Sequence, residues 1–255
     1  MSAPSSNPLL RFENVEATHA DGTAALRGVS FELAAGERVA LLGGNGAGKS
    51  SVFLALGGFL PFRGSICAFG RELTDQSSAE IRRRIGFVFE SSDDQLLLDT
   101  LEEDVAFAPR CAGIGEAEVA ERTARALDAV GLRGYERRNP RRLSFGERRL
   151  AALAGAFAQR PELLVLDEPT ANLDARARRR VVDALLQFRG ALLLLTHDLA
   201  AASALTERAL VLSEGRLVLS GPTDSVLWDT RAHSALGLET DDLLALRRPA
   251  SRRSP

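Results

Sequence analysis

Lysine is almost absent from this sequence. Lys49 is the only lysine in 255 residues, and all the other residues among the 32 basic ones are arginine. Arginine serves well where only a surface charge is needed, but its planar guanidinium is too large for a site built around a compact ammonium group. The single retained lysine therefore indicates a site with a specific chemical requirement.

Cysteine, long apolar runs and excess charge are scarce as well. The two cysteines, Cys67 and Cys111, lack C-x-x-C spacing, which favours a reduced, cytosolic compartment. The longest apolar stretches, such as 191–195, are far shorter than the roughly 20 residues that cross a bilayer. The formal net charge is −2, so no nucleic-acid partner is expected. Residues 1–8 lack the basic and apolar regions of a signal peptide.

Short apolar runs alternate with helical patterns along most of the chain. The predicted strands are Val29–Leu33, Arg38–Leu42, Ile85–Phe89, Leu163–Leu166, Ala191–Leu195, Ala209–Leu212 and Leu217–Leu219. The predicted helices are Lys49–Leu56, Glu116–Val130, Phe145–Ala158 and Ala175–Phe188. Several strands lack polar alternation, as expected when both faces are buried. The pattern predicts an α/β fold, in which a mostly parallel sheet is covered by helices on both faces.

The strand pattern is interrupted in the middle of the chain and weakens near its end. Between Glu90 and Leu143, segments with helical character replace the strands. This change predicts a helical subdomain, at about residues 90–158, inserted into the α/β core. After Gly221 the pattern weakens, and residues 228–255 are predicted to form a partly disordered tail.

A complete phosphate-binding motif follows the strand predicted at 38–42. The segment Gly43-Gly44-Asn45-Gly46-Ala47-Gly48-Lys49-Ser50 matches G-x-x-x-x-G-K-[ST]. Its glycines let successive N–H groups point at a phosphate, and the start of the next helix adds partial positive charge. Lys49 is expected to reach the β- and γ-phosphates, and the Ser50 hydroxyl to ligate Mg²⁺. The predicted nucleotide contacts are Gly43, Gly44, Asn45, Gly46, Ala47, Gly48, Lys49, Ser50 and Ser51.

Two adjacent carboxylates end another predicted strand. Asp167 and Glu168 follow residues 163–166 and are expected at the carboxyl edge of the sheet, where ligands bind in open α/β folds. Asp167 can hold Mg²⁺ directly or through water, while Glu168 can accept a proton from an attacking water. A strand that ends in an acidic turn is common in ordinary proteins. Together with the phosphate loop, however, this pair predicts a site that binds and hydrolyses a nucleotide.

The order of these motifs resembles that of the nucleotide-binding subunits of ABC transporters, over roughly residues 9–227. The segment Leu143-Ser144-Phe145-Gly146-Glu147 resembles the signature motif, which in that family reads the γ-phosphate of ATP held by a second subunit. The resemblance implies that Ser144 and Gly146 contact nucleotide and that the chain works as a dimer. It also implies a P-loop NTPase core with an inserted helical subdomain and an N-terminal antiparallel β portion, the ABC ATPase fold.

Two further segments carry the resemblance. Ala171-Asn172-Leu173-Asp174 resembles the D-loop of the dimer interface, and Thr196-His197-Asp198 resembles the switch-histidine segment. The second match implies that His197 contacts the γ-phosphate and helps to position the attacking water. Taken singly, Ser144 and Asp174 would also suit ordinary helix N-caps, and a lone histidine is more often structural. Their order behind Lys49 and Glu168 favours the functional interpretation.

One branch of the family is especially similar. Residues 89–95 and 104–109 are similar to the energy-coupling-factor branch, which imports cobalt, nickel or vitamins. The resemblance implies a similar cargo. The alternative is that these residues only shape the groove in which the coupling helix of a membrane subunit docks.

The sequence departs from the family pattern at three places. Glu90 stands where the Q-loop has a glutamine that ligates Mg²⁺, so it adds negative charge while remaining a candidate metal ligand. Phe145 and Glu147 replace the usual glycine and glutamine of the signature. His19 stands where an aromatic ring usually stacks on adenine, and an imidazole offers less area. These departures lead to the hypothesis of an unequal dimer with a paralogous ATPase.

The resemblance implies a subunit that binds and hydrolyses ATP to power an ABC-type transporter. Its implied partners are a second ABC ATPase subunit, in a homo- or heterodimer, and integral membrane subunits, which would hold it at the cytoplasmic face of the cell membrane as a peripheral protein. The alternatives are a soluble non-transport ABC ATPase and a regulatory nucleotide-binding module. The first would usually carry two cassettes or a long coiled coil, and the second would be expected to lose Glu168; neither expectation fits this sequence.

Overall fold

The computed structural model describes residues 8–237 and contains two sheets with helices around them. Its strands are β1 (Leu10–Thr18), β2 (Ala24–Leu33), β3 (Arg38–Leu42), β4 (Phe62–Ala68), β5 (Arg71–Glu72), β6 (Ile85–Val88), β7 (Leu163–Asp167), β8 (Ala191–Thr196), β9 (Arg208–Ser213) and β10 (Arg216–Pro222). Its helices are α1 (Lys49–Leu56), α2 (Ser78–Arg83), α3 (Leu101–Cys111), α4 (Glu116–Ala129), α5 (Phe145–Ala158), α6 (Ala175–Gln187), α7 (Leu199–Leu205), α8 (Thr223–Leu227) and α9 (Thr230–Leu236).

The larger sheet has the strand order β10-β9-β3-β8-β7-β6, and all its pairs are parallel except β9 with β10. Both faces are covered, which explains why its strands are apolar without alternation. In β7, Leu163 and Val165 belong to one core, whereas Leu164 and Leu166 belong to another on the opposite face. The predicted mostly parallel sheet is confirmed.

The smaller sheet is antiparallel, with the order β2-β1-β4-β5. It shares one core with α1 and one face of the larger sheet, and within it the rings of Phe12 and Phe31 stack 4.6 Å apart. This sheet confirms the predicted N-terminal antiparallel β portion. Of its strands, the sequence pattern alone predicted only the end of β2. The strand β1 was not predicted, because its register is irregular around Asn14, which adopts a positive φ of 48°.

The helices α3, α4 and α5 lie between β6 and β7 in the chain. Helix α5 packs against α3, α4 and α6 and is buried along much of its length. The subdomain boundaries at about 90 and 158 remain a prediction. None of the helices within residues 8–237 has the length and apolar character needed to cross a membrane.

The segment predicted as a tail begins with ordered structure. Helix α9 packs against β9 and β10, and Ala232 is fully buried in that contact. This helix therefore belongs to the packed domain, although it lies beyond residue 227. The rest of the predicted tail, residues 238–255, lies outside the described residues.

Candidate functional site

The loop between β3 and α1 is held in a shape that only glycine allows at two positions. Gly48, which precedes the first residue of α1, has a φ of 105°. A Cβ at Gly48 would lie 2.7 Å from the carbonyl oxygen of Ala25, and one at Gly43 would lie 2.7 Å from that of Leu212. The chain can therefore turn directly from the strand into the helix. The unpaired N–H groups of the first helical turn are left at the loop, where an anion would bind.

Lys49 is buried inside this loop. Its Nζ donates to the carbonyl oxygens of Gly43 at 2.8 Å and Gly44 at 3.2 Å, and it lies 3.3 Å from Oε1 of Glu168. All three partners are oxygens, and phosphate oxygens can take the same positions around an ammonium group. This setting explains why the only lysine of the chain stands here.

Glu168 directly follows β7, and its backbone leaves the extended conformation of that strand. Its φ of 46° is in the left-handed region, which costs on the order of 1 kcal/mol for a residue with a side chain. Its Oε2 accepts a hydrogen bond from Oγ1 of Thr196 at 2.9 Å. Its Oε1 accepts from the backbone N–H of His197 at 3.1 Å and lies 2.8 Å from Nδ1 of the same residue. The carboxylate is thus buried but fully partnered.

Asp167 lies deeper, at the end of β7, and is 5% exposed. Its pKa is raised to about 6, mainly by burial; a hydrogen bond with Ser50 opposes the rise, and the charges of Glu168 and Glu90 contribute to it. Its Oδ1 is buried without a hydrogen-bond partner among residues 8–237. A buried, unpartnered carboxylate oxygen beside other acidic groups and a hydroxyl matches the oxygen ligands that Mg²⁺ prefers. The residues present therefore fit a divalent cation.

The structure brings most of the predicted site residues to one pocket of about 450 Å³. A pocket of this size suits a nucleotide. His19 enters it from the turn between β1 and β2, with its Nε2 3.3 Å from Oγ of Ser51. The other predicted residues that line the pocket are Asn45, Gly46, Ala47, Gly48, Lys49, Ser50, Ser51, Glu90, Glu168 and His197.

Ser144 and Gly146 line a different cleft, of about 510 Å³, together with Asn172 and Asp174. Ser144 caps α5 through a capping box: its Oγ accepts from the N–H of Glu147 at 3.3 Å, and Glu147 Oε2 accepts from the N–H of Ser144 at 2.8 Å. A Cβ at Gly146 would lie 2.6 Å from that of Ala177, so helix packing alone already requires glycine there. Within one chain, the two sets of predicted nucleotide contacts are therefore not brought together.

Sequence reasoning assigned no individual role to several polar residues near the pocket. Asp198 accepts hydrogen bonds from Arg178 and from Thr170, the latter at 2.8 Å, and it caps α7. Thr196, whose hydroxyl holds Glu168, also accepts from the N–H of Asp198 at 2.9 Å. Arg149 is fully buried. Both arginines stand in arginine-rich runs, where composition gives no sign that one member differs from the others.

Comparisons with known proteins agree on one family. A family model described as ABC transporter matches residues 26–171. The chain is 48% identical, over 217 residues and 84% of each protein, to a putative ABC transporter ATP-binding protein of Streptomyces coelicolor. It is 42% identical over 220 residues to the energy-coupling factor transporter ATP-binding protein EcfA of Methanothermobacter thermautotrophicus, covering 84% of this chain and 70% of that one.

Solved structures agree in fold. CbiO1 of Clostridium perfringens, described as part of the ABC transporter complex CbiONQ, matches with a TM-score of 0.79 and 29% identity over 94% of this chain and 99% of that one. The ATP-binding cassette MJ0796, solved as a dimer in a post-hydrolysis state with ADP and Pi, matches with a TM-score of 0.77 and 26% identity over 84% of this chain and 98% of that one. The chain therefore belongs to the ABC transporter family, as an ATP-binding subunit whose hydrolysis of ATP powers transport.

Proposed function

We propose that Mg·ATP is bound in the pocket of the phosphate loop and hydrolysed there, with Glu168 as the base. The observation that carries this proposal is the convergence of Lys49, Glu168 and His197 on one pocket, with Asp167 beneath it. Mg²⁺, held by Ser50 and Asp167 with Glu90 as a further contact, would offset the charge of the triphosphate. His19 would lie against the adenine.

The contacts of Glu168 support its role as the base. Thr196 and the backbone N–H of His197 hold the carboxylate in place, while Lys49 pairs with its Oε1. When phosphate oxygens replace Oε1 as a partner of Lys49, that oxygen loses one of its partners and gains a lone pair with which to accept a proton from an attacking water. His197, whose ring is 57% exposed, then orients the water at the γ-phosphate.

A second ATP-binding subunit completes the site in this proposal. Ser144 and Gly146 lie at the start of α5 in a separate cleft, so they suit the γ-phosphate of a nucleotide held by another chain. The second chain is either a copy of this one or a related ATPase. ATP would hold the two subunits together, and hydrolysis would release them.

A groove beside α3 and α5 suits a segment of an integral membrane subunit. Phe87, Gln95 and Phe107 line it, and the apolar side chain of Phe107 is 58% exposed. Apolar exposure of this kind at a groove is typical of a docking surface. Docking there would hold the chain at the cytoplasmic face of the membrane as a peripheral subunit.

The similarity to EcfA and CbiO1 supports an importer of the energy-coupling-factor type, with a metal ion or a vitamin as cargo. The test is to purify the tagged chain from membranes, identify the integral membrane proteins that accompany it, and measure uptake of radioactive Ni²⁺, Co²⁺ and vitamins by vesicles containing that complex. Export, or uptake of another cargo class alone, would contradict the importer assignment.

Glu168→Gln tests the base. The variant keeps the shape of the side chain but cannot accept the proton, so we expect ATP to bind and remain unhydrolysed. Nucleotide recovered after rapid gel filtration should be ATP in the variant and ADP in the unaltered protein. Lys49→Met is the control that should retain neither nucleotide. Turnover within about twofold of the unaltered chain would exclude Glu168 as the base.

Gly155 offers a direct test of the docking groove. It lies in α5 at the groove, and a Cβ built there meets nothing within 4 Å. Gly155→Leu should therefore fill the groove without disturbing the fold, and the variant should bind ATP yet no longer copurify with membrane subunits. Gly155→Ala is the matched control, because it removes the same glycine but leaves the groove open. Equal copurification of both variants would contradict docking at this groove.

A further inference from the structure

Arg149 is a fully buried cation that joins α5 to the end of β6. Its side chain is 1% exposed, and its Nη1 donates to the carbonyl oxygen of Phe89 at 2.7 Å. The guanidinium also lies 5.7 Å from the ring centre of Phe145, in the first turn of the same helix. Arg149 therefore fixes the residue that directly precedes Glu90 to the helix that carries the signature segment.

Three acidic groups of the candidate site act on the charge of Arg149. Burial lowers the pKa of Arg149, whereas the negative charges of Glu90, Asp167 and Glu168 raise it, with Glu90 having the largest effect of the three. The Nε of Arg149 is buried without a hydrogen-bond partner in the part of the chain that the structure describes. A buried guanidinium with an incomplete set of hydrogen bonds needs compensating charge nearby.

We propose that Arg149 is a positioning residue for Glu90, whose buried positive charge both fixes the end of β6 and balances the carboxylates gathered at this edge of the sheet. Lys49 supplies another positive charge beside them, and in the proposed function it turns to phosphate when nucleotide binds. Arg149 is buried from solvent and, in this proposal, stays bound to the carbonyl oxygen of Phe89 when nucleotide binds. The proposal deepens the proposed function, since it concerns the same site, but its test needs neither nucleotide nor metal.

The test is a double-mutant cycle on the thermal unfolding of the full chain in EDTA without nucleotide. Arg149→Met should lower Tm by about 6 °C or more, because it removes a buried positive charge and leaves only Lys49 beside the carboxylates. In the Glu90→Gln background the same substitution should cost at least about 2 °C less, because one of those charges is gone. Arg149→Lys, which keeps the charge, should retain more than half of the lost stability. Equal losses in both backgrounds, or a lysine variant as unstable as the methionine variant, would overturn the proposal.

Two matched controls separate this pairing from general effects of charge removal. Arg148, the neighbour on α5, pairs instead with Asp93 at 2.8 Å, so Arg148→Met should cost the same with and without Glu90→Gln. Glu162 pairs with Arg84 at 2.6 Å, so Glu162→Gln should not lessen the cost of Arg149→Met. If Arg149→Met does not fold, the comparison passes to Arg149→Lys in the two backgrounds. Recovery of folded Arg149→Met by Glu90→Gln, with Arg149→Lys folding in both backgrounds, then supports the pairing, and a lysine variant that also fails to fold overturns it.

Discussion

Asp167 makes the nucleotide-free protein sensitive to pH. Its pKa is about 6 in the folded chain, against an ordinary value of 3.8, because burial disfavours the charged form. Between these values the folded state binds more protons than the unfolded state, so stability falls as pH rises from about 4 to 6 and stays low above that range. The loss is on the order of 3 kcal/mol at neutral pH.

Asp167→Asn should remove this dependence. The variant has nothing to titrate at this position, so at pH 7.5 we expect it to be more stable than the unaltered chain by on the order of 3 kcal/mol. Near pH 4 the two proteins should converge. Urea unfolding in EDTA at pH 4, 6 and 7.5 measures the difference. A difference that stays constant across the three pH values would be inconsistent with titration of Asp167.

Thr196 should matter for hydrolysis rather than for ATP binding. Its buried hydroxyl donates to Oε2 of Glu168 and does not line the nucleotide pocket. Thr196→Val preserves the shape of the side chain but leaves the carboxylate short of one donor, so kcat should fall about tenfold with KM for ATP within about twofold. Thr196→Ser, which keeps the hydroxyl, should remain close to the unaltered protein. Steady-state ATPase kinetics distinguish this outcome from a rise in KM alone.

Sequence reasoning predicted the residues whose chemistry is tied to a local motif. Lys49 was predicted from its place in a complete glycine-rich pattern, and the structure surrounds it with oxygens. The positive φ of Glu168 could not be predicted, because that conformation depends on Thr196 and His197, which are distant in sequence. The burial of Arg149 could not be predicted from the sequence either, because it depends on how α5 packs against its neighbours.

At the scale of elements, the start of α5 combines a structural and a functional role that can be separated. Ser144 and Thr100 both form capping boxes, the first with Glu147 on α5 and the second with Glu103 on α3. Ser144→Ala and Thr100→Ala should each lower stability by about 1 kcal/mol. Of these two residues, only Ser144 lines the cleft that also contains Gly146 and Asp174, here called the signature cleft. Only Ser144→Ala should therefore also reduce ATPase activity. Measurements of Tm and of the ATPase rate on both variants test whether Ser144 has a functional role. Equal effects on ATPase activity would show that Ser144 acts only as a helix cap.

Elements buried on both faces were the most predictable. The strands β3, β7 and β8 were predicted to within a residue of their bounds, because continuous apolar sequence leaves few alternatives. The strand β1 was not predicted, because its charged residues face solvent and its register is irregular around Asn14. Helix α9 has only one fully buried side chain, Ala232, and short helices of this kind carry little periodic signal.

At the scale of the whole molecule, the chain carries two separate clefts that the proposed function treats as the two halves of one site. The phosphate loop, Glu168 and His197 line one cleft, while Ser144, Gly146 and the D-loop segment line another. Two such surfaces can be used together only between different chains. In the proposed two-fold dimer, each cleft of one subunit would face the other cleft of its partner, which would form two equivalent composite sites.

Mixing two inactive variants tests this arrangement. Lys49→Met disables the phosphate loop, and Ser144→Arg blocks the signature cleft, so neither variant should hydrolyse ATP alone. A mixed dimer of the two restores one intact site, because the unaltered Lys49 of one subunit meets the unaltered Ser144 of the other. Random mixing should therefore recover about a quarter of the ATPase activity of the unaltered homodimer. If the unaltered chain is active alone but the mixture is not, the shared site is contradicted. If the chain becomes active only with a related ATPase, the second half comes from that unequal partner.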